Sequence, residues 1–159
     1  MTLNYIDDIK KIITNLAERI GFSVRVSARL EASPEEERVI FSLAIPEIEK
    51  PSLLIGQYGN NLKALQYLIR LIARHQLGDL GNFIIDINDY VKNRREYLNN
   101  LALKSADRAI SSGRNVLLEP MPAADRRLVH LALVNNPGVT TESQGDGDDR
   151  KIIVKPTTK

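Results

Sequence analysis

The 159-residue sequence contains no cysteine, no tryptophan and only two histidines. Without cysteine, disulfide bonds, thiolate catalysis and cysteine-ligated zinc are excluded, and a reducing cytoplasm is the expected compartment. The apolar runs, such as residues 53–55 and 152–154, are far shorter than the roughly 20 residues that a membrane-spanning helix needs. The N-terminus lacks a basic stretch followed by an apolar one. We therefore expect neither a signal peptide nor membrane insertion.

The composition is otherwise that of a globular protein, but its charge is uneven. Apolar residues make up 43% and charged residues 26% of the chain, which fits one ordinary domain or two small ones. Residues 1–89 carry 10 Lys and Arg against 12 Asp and Glu, a net charge of −2. Residues 90–159 carry 12 against 8, a net charge of +4. This excess in the second half fits an anionic partner or serves solubility alone.

Hydrophobic periodicity predicts two small mixed domains, residues 1–88 and 89–159. The first half is predicted to contain, in order, a helix at 6–20, strands at 22–28 and 39–45, a short apolar segment at 52–55, a helix at 62–78 and a strand at 83–87. The second half is predicted to contain a helix at 90–112 that Asp89 caps, a strand at 115–118, a helix at 122–134 and a hairpin of strands at 139–143 and 150–155. The predicted fold class is α/β (α+β), with element orders αββααβ and αβαββ.

The first motif is the sequence Gly-Gln-Tyr-Gly at residues 56–59, directly before a predicted helix. Two glycines three residues apart let another backbone approach the loop, and a helix N-terminus offers free N–H groups to a phosphate. Asn60 and Asn61 are predicted to cap that helix. A plain turn would show the same spacing, so the motif alone leaves both interpretations open.

In its context, the loop resembles that of a type II KH domain, and the resemblance covers about residues 3–88. In such domains the loop, here Gly56 to Gly59, clamps a nucleic-acid backbone. KH loops often carry a basic residue between the glycines, whereas this chain has Gln57 and Tyr58. With the net charge of −2, this predicts weak RNA binding by the first half, with Tyr58 as a candidate to stack on a base.

The second motif is an arginine and a histidine four residues apart, Arg126 and His130. Four residues advance a helix by 400°, so the two side chains lie about 40° apart on one face. That face is predicted to be polar and exposed. The opposite, core-facing side is predicted to consist of Ala124, Leu128, Leu131 and Ala132. An ordinary solvated helix face is the alternative interpretation.

Three stretches together make the second half recognisable: Leu-Glu-Pro-Met-Pro at 118–122, Asp-Arg-Arg-x-x-His at 125–130, and Pro-Gly-Val-Thr-Thr-Glu-Ser-x-Gly at 137–145. They resemble the R-three-H domain, a single-stranded-nucleic-acid-binding domain named for its Arg-x-x-x-His signature. With the preceding KH-like half, the chain resembles the bacterial Jag family, also called KhpB or EloR. Members often carry a further N-terminal Jag domain. We expect that domain to be absent, because the chain begins almost directly at the KH helix.

The resemblance implies a cytoplasmic, non-catalytic regulator that binds single-stranded RNA, or single-stranded DNA, and is linked to cell elongation, division or sporulation. The signature pair Arg126 and His130 would contact phosphate or sugar. Further candidates for nucleic-acid contact are Arg127, Thr141, Ser143, Arg150 and Lys151. Thr141 and Ser143 share one strand face and would either donate to phosphate or merely face solvent. A basic track on the long helix would comprise Lys92, Arg94, Arg95 and Arg108.

Catalysis, metal binding and cofactor binding find little support in the sequence. The two histidines lie in different halves, and the acidic turn at 146–149 lacks the glutamate that completes a calcium loop. The glycine loop lacks the Gly-Lys-Ser/Thr ending of an ATP-binding P-loop. We therefore expect no enzyme, no metal and no cofactor. The alternative function is a protein-interaction adaptor whose KH half associates with itself or with a small stand-alone KH protein.

Overall fold

The computed structural model describes residues 5–32, 37–78 and 82–157. The chain divides into two compact units, Met1–Val91 and Lys92–Lys159. Each unit combines helices with a three-stranded sheet, which confirms the predicted α+β fold class. The domain limits at 88 and 89 stay a prediction and lie three residues before this division. Within the described residues, no helix is both long and apolar enough to cross a bilayer.

The first unit has the predicted order αββααβ. Its elements are α1 (Ile6–Arg19), β1 (Arg25–Ala32), β2 (Glu37–Ala44), α2 (Ser52–Ile55), α3 (Asn60–Leu77) and β3 (Phe83–Ile87). The central strand β2 pairs antiparallel with β1 and parallel with β3. Parallel neighbours need a long crossover connection, which the segment containing α2 and α3 supplies.

The core of the first unit lies between its long helices and its sheet. Apolar residues three and four apart put Ile9 and Ile13 of α1 and Ile69 of α3 on buried helix faces. These side chains belong to one apolar cluster with Phe41 of β2 and Phe83 of β3. The two phenylalanine rings meet edge to face, with centroids 5.6 Å apart. The alternation read from the sequence therefore indicates the correct core for this unit.

The second unit has the predicted order αβαββ. Its elements are α4 (Tyr90–Ser112), which begins two residues before the unit does, β4 (Val116–Leu117), α5 (Ala123–Leu133), β5 (Val139–Gln144) and β6 (Lys151–Pro156). The antiparallel sheet has the order β4-β6-β5. The predicted hairpin is confirmed: in β5 and β6, Val139 lies opposite Pro156 and Gln144 opposite Lys151.

Helix α4 contributes a face of small residues to the second core. Leu98, Ala102, Ala106 and Ala109 are fully buried there, together with Val154 of β6. Alanine side chains are small and let a helix backbone approach its neighbours closely.

The predicted core face of α5 is partly wrong. Val129 and Leu133 are the buried apolar residues of this helix, whereas Leu131 is 53% exposed and Ala124 is exposed. Asp125 is also buried, and its carboxylate pairs with an arginine of α4. Positions 125, 129 and 133 therefore share the inward face of α5, and the ion pair lies on that face.

The start of α4 also differs from prediction. Its boundary is as expected, but the carboxylate that accepts the N–H of Val91, at 3.1 Å, belongs to Asp86 rather than Asp89. Asn88 and Asp89 adopt left-handed backbone conformations, with φ of 47° and 56°. The chain therefore turns sharply between β3 and α4, and this turn brings the last part of β3 to the helix N-terminus.

Candidate nucleic-acid interface

The signature histidine contacts the neighbouring edge strand. His130 is exposed on α5, and its Nδ1 lies 2.5 Å from Oγ1 of Thr141 on β5. A hydroxyl can either donate to or accept from an imidazole nitrogen, so this contact persists in every protonation state of the ring. It leaves Nε2 as the ring nitrogen available to a ligand. Thr141 therefore holds the imidazole in a defined orientation.

The signature arginine is held by main-chain oxygens. Arg126 is half-buried, and its Nη1 donates to the carbonyl of Met121 at 2.6 Å and, more weakly, to that of Arg150 at 3.5 Å. The N–H of Met121 donates to the same Arg150 carbonyl at 3.2 Å. The prediction that Arg126 lies on an exposed, polar face is therefore wrong in part, because this side chain is half-buried. Part of its guanidinium joins the turn before α5 to the start of β6.

A second arginine, Arg150, also contacts strand β5. The Nε of Arg150, which is exposed, donates to Oγ of Ser143 at 2.9 Å. Ser143 and Thr141 lie two residues apart on one face of β5, as predicted, so their hydroxyls are roughly 7 Å apart along the strand. We call the residues joined by these contacts the signature cluster: Arg126, His130, Thr141, Ser143 and Arg150.

Two of the candidates predicted between residues 126 and 151 lie outside this cluster. Lys151 lies opposite Gln144 in the hairpin, so its side chain belongs to the sheet face that Thr141 and Ser143 do not share. Arg127 follows Arg126 by 100° around α5 and is exposed. Both remain local sources of positive charge, and neither has an ion-pair partner within residues 5–32, 37–78 and 82–157.

The predicted basic track on α4 is interrupted. Nε and Nη2 of Arg94 donate to one carboxylate oxygen of Asp125, at 3.1 and 2.7 Å, and its guanidinium lies over the ring of Tyr97. Lys92 is 4.0 Å from Glu96. Arg94 therefore serves the α4–α5 contact, and sequence reasoning missed its partner. The acidic residue Asp125, directly before the signature arginine, was the sequence signal that could have indicated an ion pair with Arg94.

The glycine loop of the first unit has the geometry that requires glycine. Gly56 and Gly59 have φ of 71° and 76°. A Cβ on Gly56 would come within 2.5 Å of the side chain of Asn61, and one on Gly59 within 2.9 Å of the ring of Tyr90. The central residues differ in exposure: Gln57 is exposed, and Tyr58 is half-buried with φ of 54°.

The predicted asparagine cap after this loop is wrong. Helix α3 begins at Asn60 with Gly59 as its N-cap residue. Nδ2 of Asn61 donates instead to the carbonyl of Leu53 at 2.8 Å, which joins the helix to α2. Further along α3, Arg70 lies over the ring of Phe83 and donates to its carbonyl at 2.5 Å. Arg70 is thus part of the packing between α3 and β3.

The described part of the chain shows no metal-binding constellation. It contains no group of three or more His, Asp or Glu side chains arranged to hold a metal ion. The only shifted pKa resolved there is that of Asp86, where burial raises the pKa above its usual range although the N–H groups of Val91 and Ile87 partly lower it.

Comparison with known proteins identifies the second unit. The R-three-H domain family matches residues 96–156. The chain is 38% identical over 105 residues to the RNA-binding protein KhpB of Lactiplantibacillus plantarum, a match that covers 66% of this chain and 33% of that protein. It is 35% identical over 108 residues to KhpB of Bacillus subtilis, covering 67% of this chain and 52% of that protein. For KhpB of Streptococcus pneumoniae the identity is 33% over 108 residues, covering 68% and 33%.

The chain therefore matches about half of the Bacillus subtilis protein and a third of the other two. These matches confirm the predicted R-three-H domain and the resemblance to the Jag (KhpB) family, while the KH domain stays a prediction. The signature cluster falls inside the matched segment. The chain carries an R-three-H domain at residues 96–156 and is a relative of the RNA-binding proteins KhpB.

Proposed function

We propose that this chain is a non-catalytic, cytoplasmic protein that binds single-stranded RNA through the signature cluster. The observation that carries the proposal is the grouping of Arg126, His130 and Arg150 beside the R-three-H sheet. The hydroxyls of Thr141 and Ser143 hold His130 and Arg150, and main-chain carbonyls hold Arg126. A guanidinium and an imidazole side by side offer N–H donors to the phosphates of one strand. Such contacts carry no base information, so binding is broad in sequence.

We further propose that residues 1–88 form a type II KH domain. Its support is the order αββααβ, the one parallel and one antiparallel strand pairing, and the glycine loop between α2 and α3. The resemblance to the Jag family adds the finer proposal of a post-transcriptional regulator linked to cell elongation, division or sporulation. Single-stranded DNA is a second ligand of the same cluster, since phosphate is common to both.

The function is tested by fluorescence anisotropy with a labelled single-stranded RNA of mixed sequence and a duplex of the same length. Since counterions are released when phosphates are neutralised, the binding constant should fall steeply between 50 and 200 mM salt, with preference for the single strand. Gel analysis after prolonged incubation should recover intact RNA. No binding at 50 mM salt would contradict the function, and shortened RNA would favour an enzyme.

An adaptor function is supported by the outward face of α3. Tyr67, Leu68 and Leu71 are 67%, 47% and 55% exposed, and their spacing puts them on one side of the helix. An apolar stripe of this kind is a candidate contact for a second copy or for a small stand-alone KH protein. Sedimentation of the wild type and of Leu71→Glu, alone and with such a protein, tests this function; identical masses in all cases would contradict it.

A further inference from the structure

The two arginines of the signature cluster are held in different ways. We propose that Arg150 is the arginine that contacts RNA phosphate, and that the signature residue Arg126 is a positioning residue that fixes the backbone from which Arg150 projects. This division of roles rests on the proposed function, and it names Arg150 as the cation that meets the phosphate.

Among the described residues, the side chain of Arg126 donates only to main-chain carbonyls, through Nη1. It is half-buried, and its shortest hydrogen bond is to the carbonyl of Met121, at 2.6 Å. That carbonyl lies where the segment after β4 stops pairing with β6. The N–H of Leu118 donates to the carbonyl of Ile152 and that of Met121 to the carbonyl of Arg150, but the next residue is a proline, which has no N–H. A backbone oxygen at the end of a ladder needs a donor, which the guanidinium supplies.

The contacts of Arg150 leave its charged end open. Among the described residues, its side chain forms a hydrogen bond only with Ser143, through Nε, and its two terminal nitrogens form none. These nitrogens form the fork that matches two phosphate oxygens. Its main-chain carbonyl accepts from Met121 and from Arg126, which fixes the residue at the start of the final strand.

The position of Arg150 relative to His130 would let both side chains contact one ligand. Ser143 and Thr141 are two residues apart on one face of β5, and they anchor Arg150 and His130 respectively. The fork and the imidazole are therefore aligned along one edge strand, where successive groups of a single nucleic-acid strand can reach both.

The test uses the full chain, the labelled single-stranded RNA and the variants Arg150→Gln, Arg126→Gln, Arg126→Lys and the double variant Arg126→Gln/Arg150→Gln. Each lost phosphate contact should reduce the salt slope by about 0.7 for a single strand. We expect this reduction in Arg150→Gln, with an unchanged unfolding temperature. In the double variant we expect no further reduction, because Arg126 acts through Arg150.

The variants at 126 separate positioning from direct contact. A lysine ammonium can still donate to the Met121 carbonyl but offers no fork, so Arg126→Lys should bind RNA within about threefold of the wild type. Arg126→Gln should lower the unfolding temperature. Arg114→Gln, a change of the same charge at an exposed site outside the cluster, is the control and should leave affinity and stability unchanged.

Two results would overturn the assignment while leaving the function intact: a second loss of about 0.7 in the slope of the double variant, or an unchanged slope in Arg150→Gln. A wild-type chain that binds no RNA at 50 mM salt would overturn both the assignment and the proposed function.

Discussion

Thr141 determines how the signature histidine is presented. Its hydroxyl lies 2.5 Å from Nδ1 of His130, and this contact keeps the ring on the edge of the sheet. A neutral imidazole whose Nδ1 accepts from the hydroxyl carries its proton on Nε2, which is the form that donates to a phosphate oxygen. Because the hydroxyl can accept as well as donate, Thr141 holds the ring in place in either tautomer. It thus belongs to the proposed binding site although it needs no contact with RNA.

Replacing Thr141 by valine tests this role, because valine keeps the shape and the strand preference of threonine but removes the hydroxyl. We expect Thr141→Val to weaken RNA binding by about fivefold, equivalent to about 1 kcal/mol for a lost hydrogen bond. Thr141→Ser should restore most of the affinity. Anisotropy measures both; equal affinities of the valine variant and the wild type would exclude the role.

At this scale, the sequence predicts neighbours within one element better than partners across elements. The spacing of Arg126 and His130 correctly places them one turn apart, and alternation correctly places Thr141 and Ser143 on one face. The carbonyl of Met121 meets Arg126 only because the chain turns before α5. No local pattern encodes such a contact, so the half-buried state of Arg126 was not predictable.

Among the elements, the start of α4 shows how one buried carboxylate links a strand to a helix. Asp86 is 6% exposed at the end of β3 and accepts the N–H of Val91 in the first turn of α4. Burial raises its pKa, because the charged form loses hydration. A carboxyl whose pKa is higher in the folded than in the unfolded protein stabilises the fold fully below its unfolded pKa and loses that contribution as pH rises through the folded value.

Asp86→Asn should therefore stabilise the first unit at neutral pH, since the amide oxygen can still accept from Val91 without the cost of a buried charge. We expect a rise of a few degrees in the unfolding midpoint at pH 7, of the order of 1 kcal/mol, and a smaller difference near pH 4. Thermal unfolding followed by circular dichroism measures this. Glu47→Gln, an exposed change of the same charge in the same unit, is the control. A variant less stable than the wild type at pH 7 would contradict the expectation.

The sequence largely predicts which helices and strands exist. It predicts less well which side of each element faces the core. The strand at Phe83–Ile87 and the helix at Tyr90–Ser112 have their predicted bounds, because strong apolar patterns end at clear turn residues. The rotation of α5 was not predictable from its own sequence. The inward face of α5 includes Asp125, whose partner Arg94 lies 31 residues away in the chain.

Across the whole molecule, charge divides unequally between the halves. Residues 1–89 have a net charge of −2 and residues 90–159 a net charge of +4, so long-range attraction for an anionic partner comes from the second half. The glycine loop of the first unit adds no positive side chain between its glycines, where Gln57 and Tyr58 stand. We therefore expect the R-three-H domain to supply most of the affinity.

Changing both Gln57 and Tyr58 to aspartate tests this division. The backbone should tolerate the change, because Gln57 is exposed and aspartate readily adopts the positive φ of residue 58. Two negative charges would repel an RNA backbone at the loop, and we expect less than a tenfold loss of affinity, about 1.4 kcal/mol. The neutral pair Gln57→Asn/Tyr58→Asn is the control. A larger loss would make the first unit a principal RNA site, whereas altered self-association without a loss would favour the adaptor function.

The hydrogen bond from Arg126 to the Met121 carbonyl has a consequence for how related sequences are compared. Selection for a stable fold is enough to retain an arginine at this position, even in a lineage that no longer contacts RNA. The signature arginine would then be retained through shared architecture, and we expect the residue at position 150 to vary with the ligand instead. Among descendants of one ancestral domain, we expect RNA binding to be lost or moved elsewhere in those that keep Arg126 but replace Arg150.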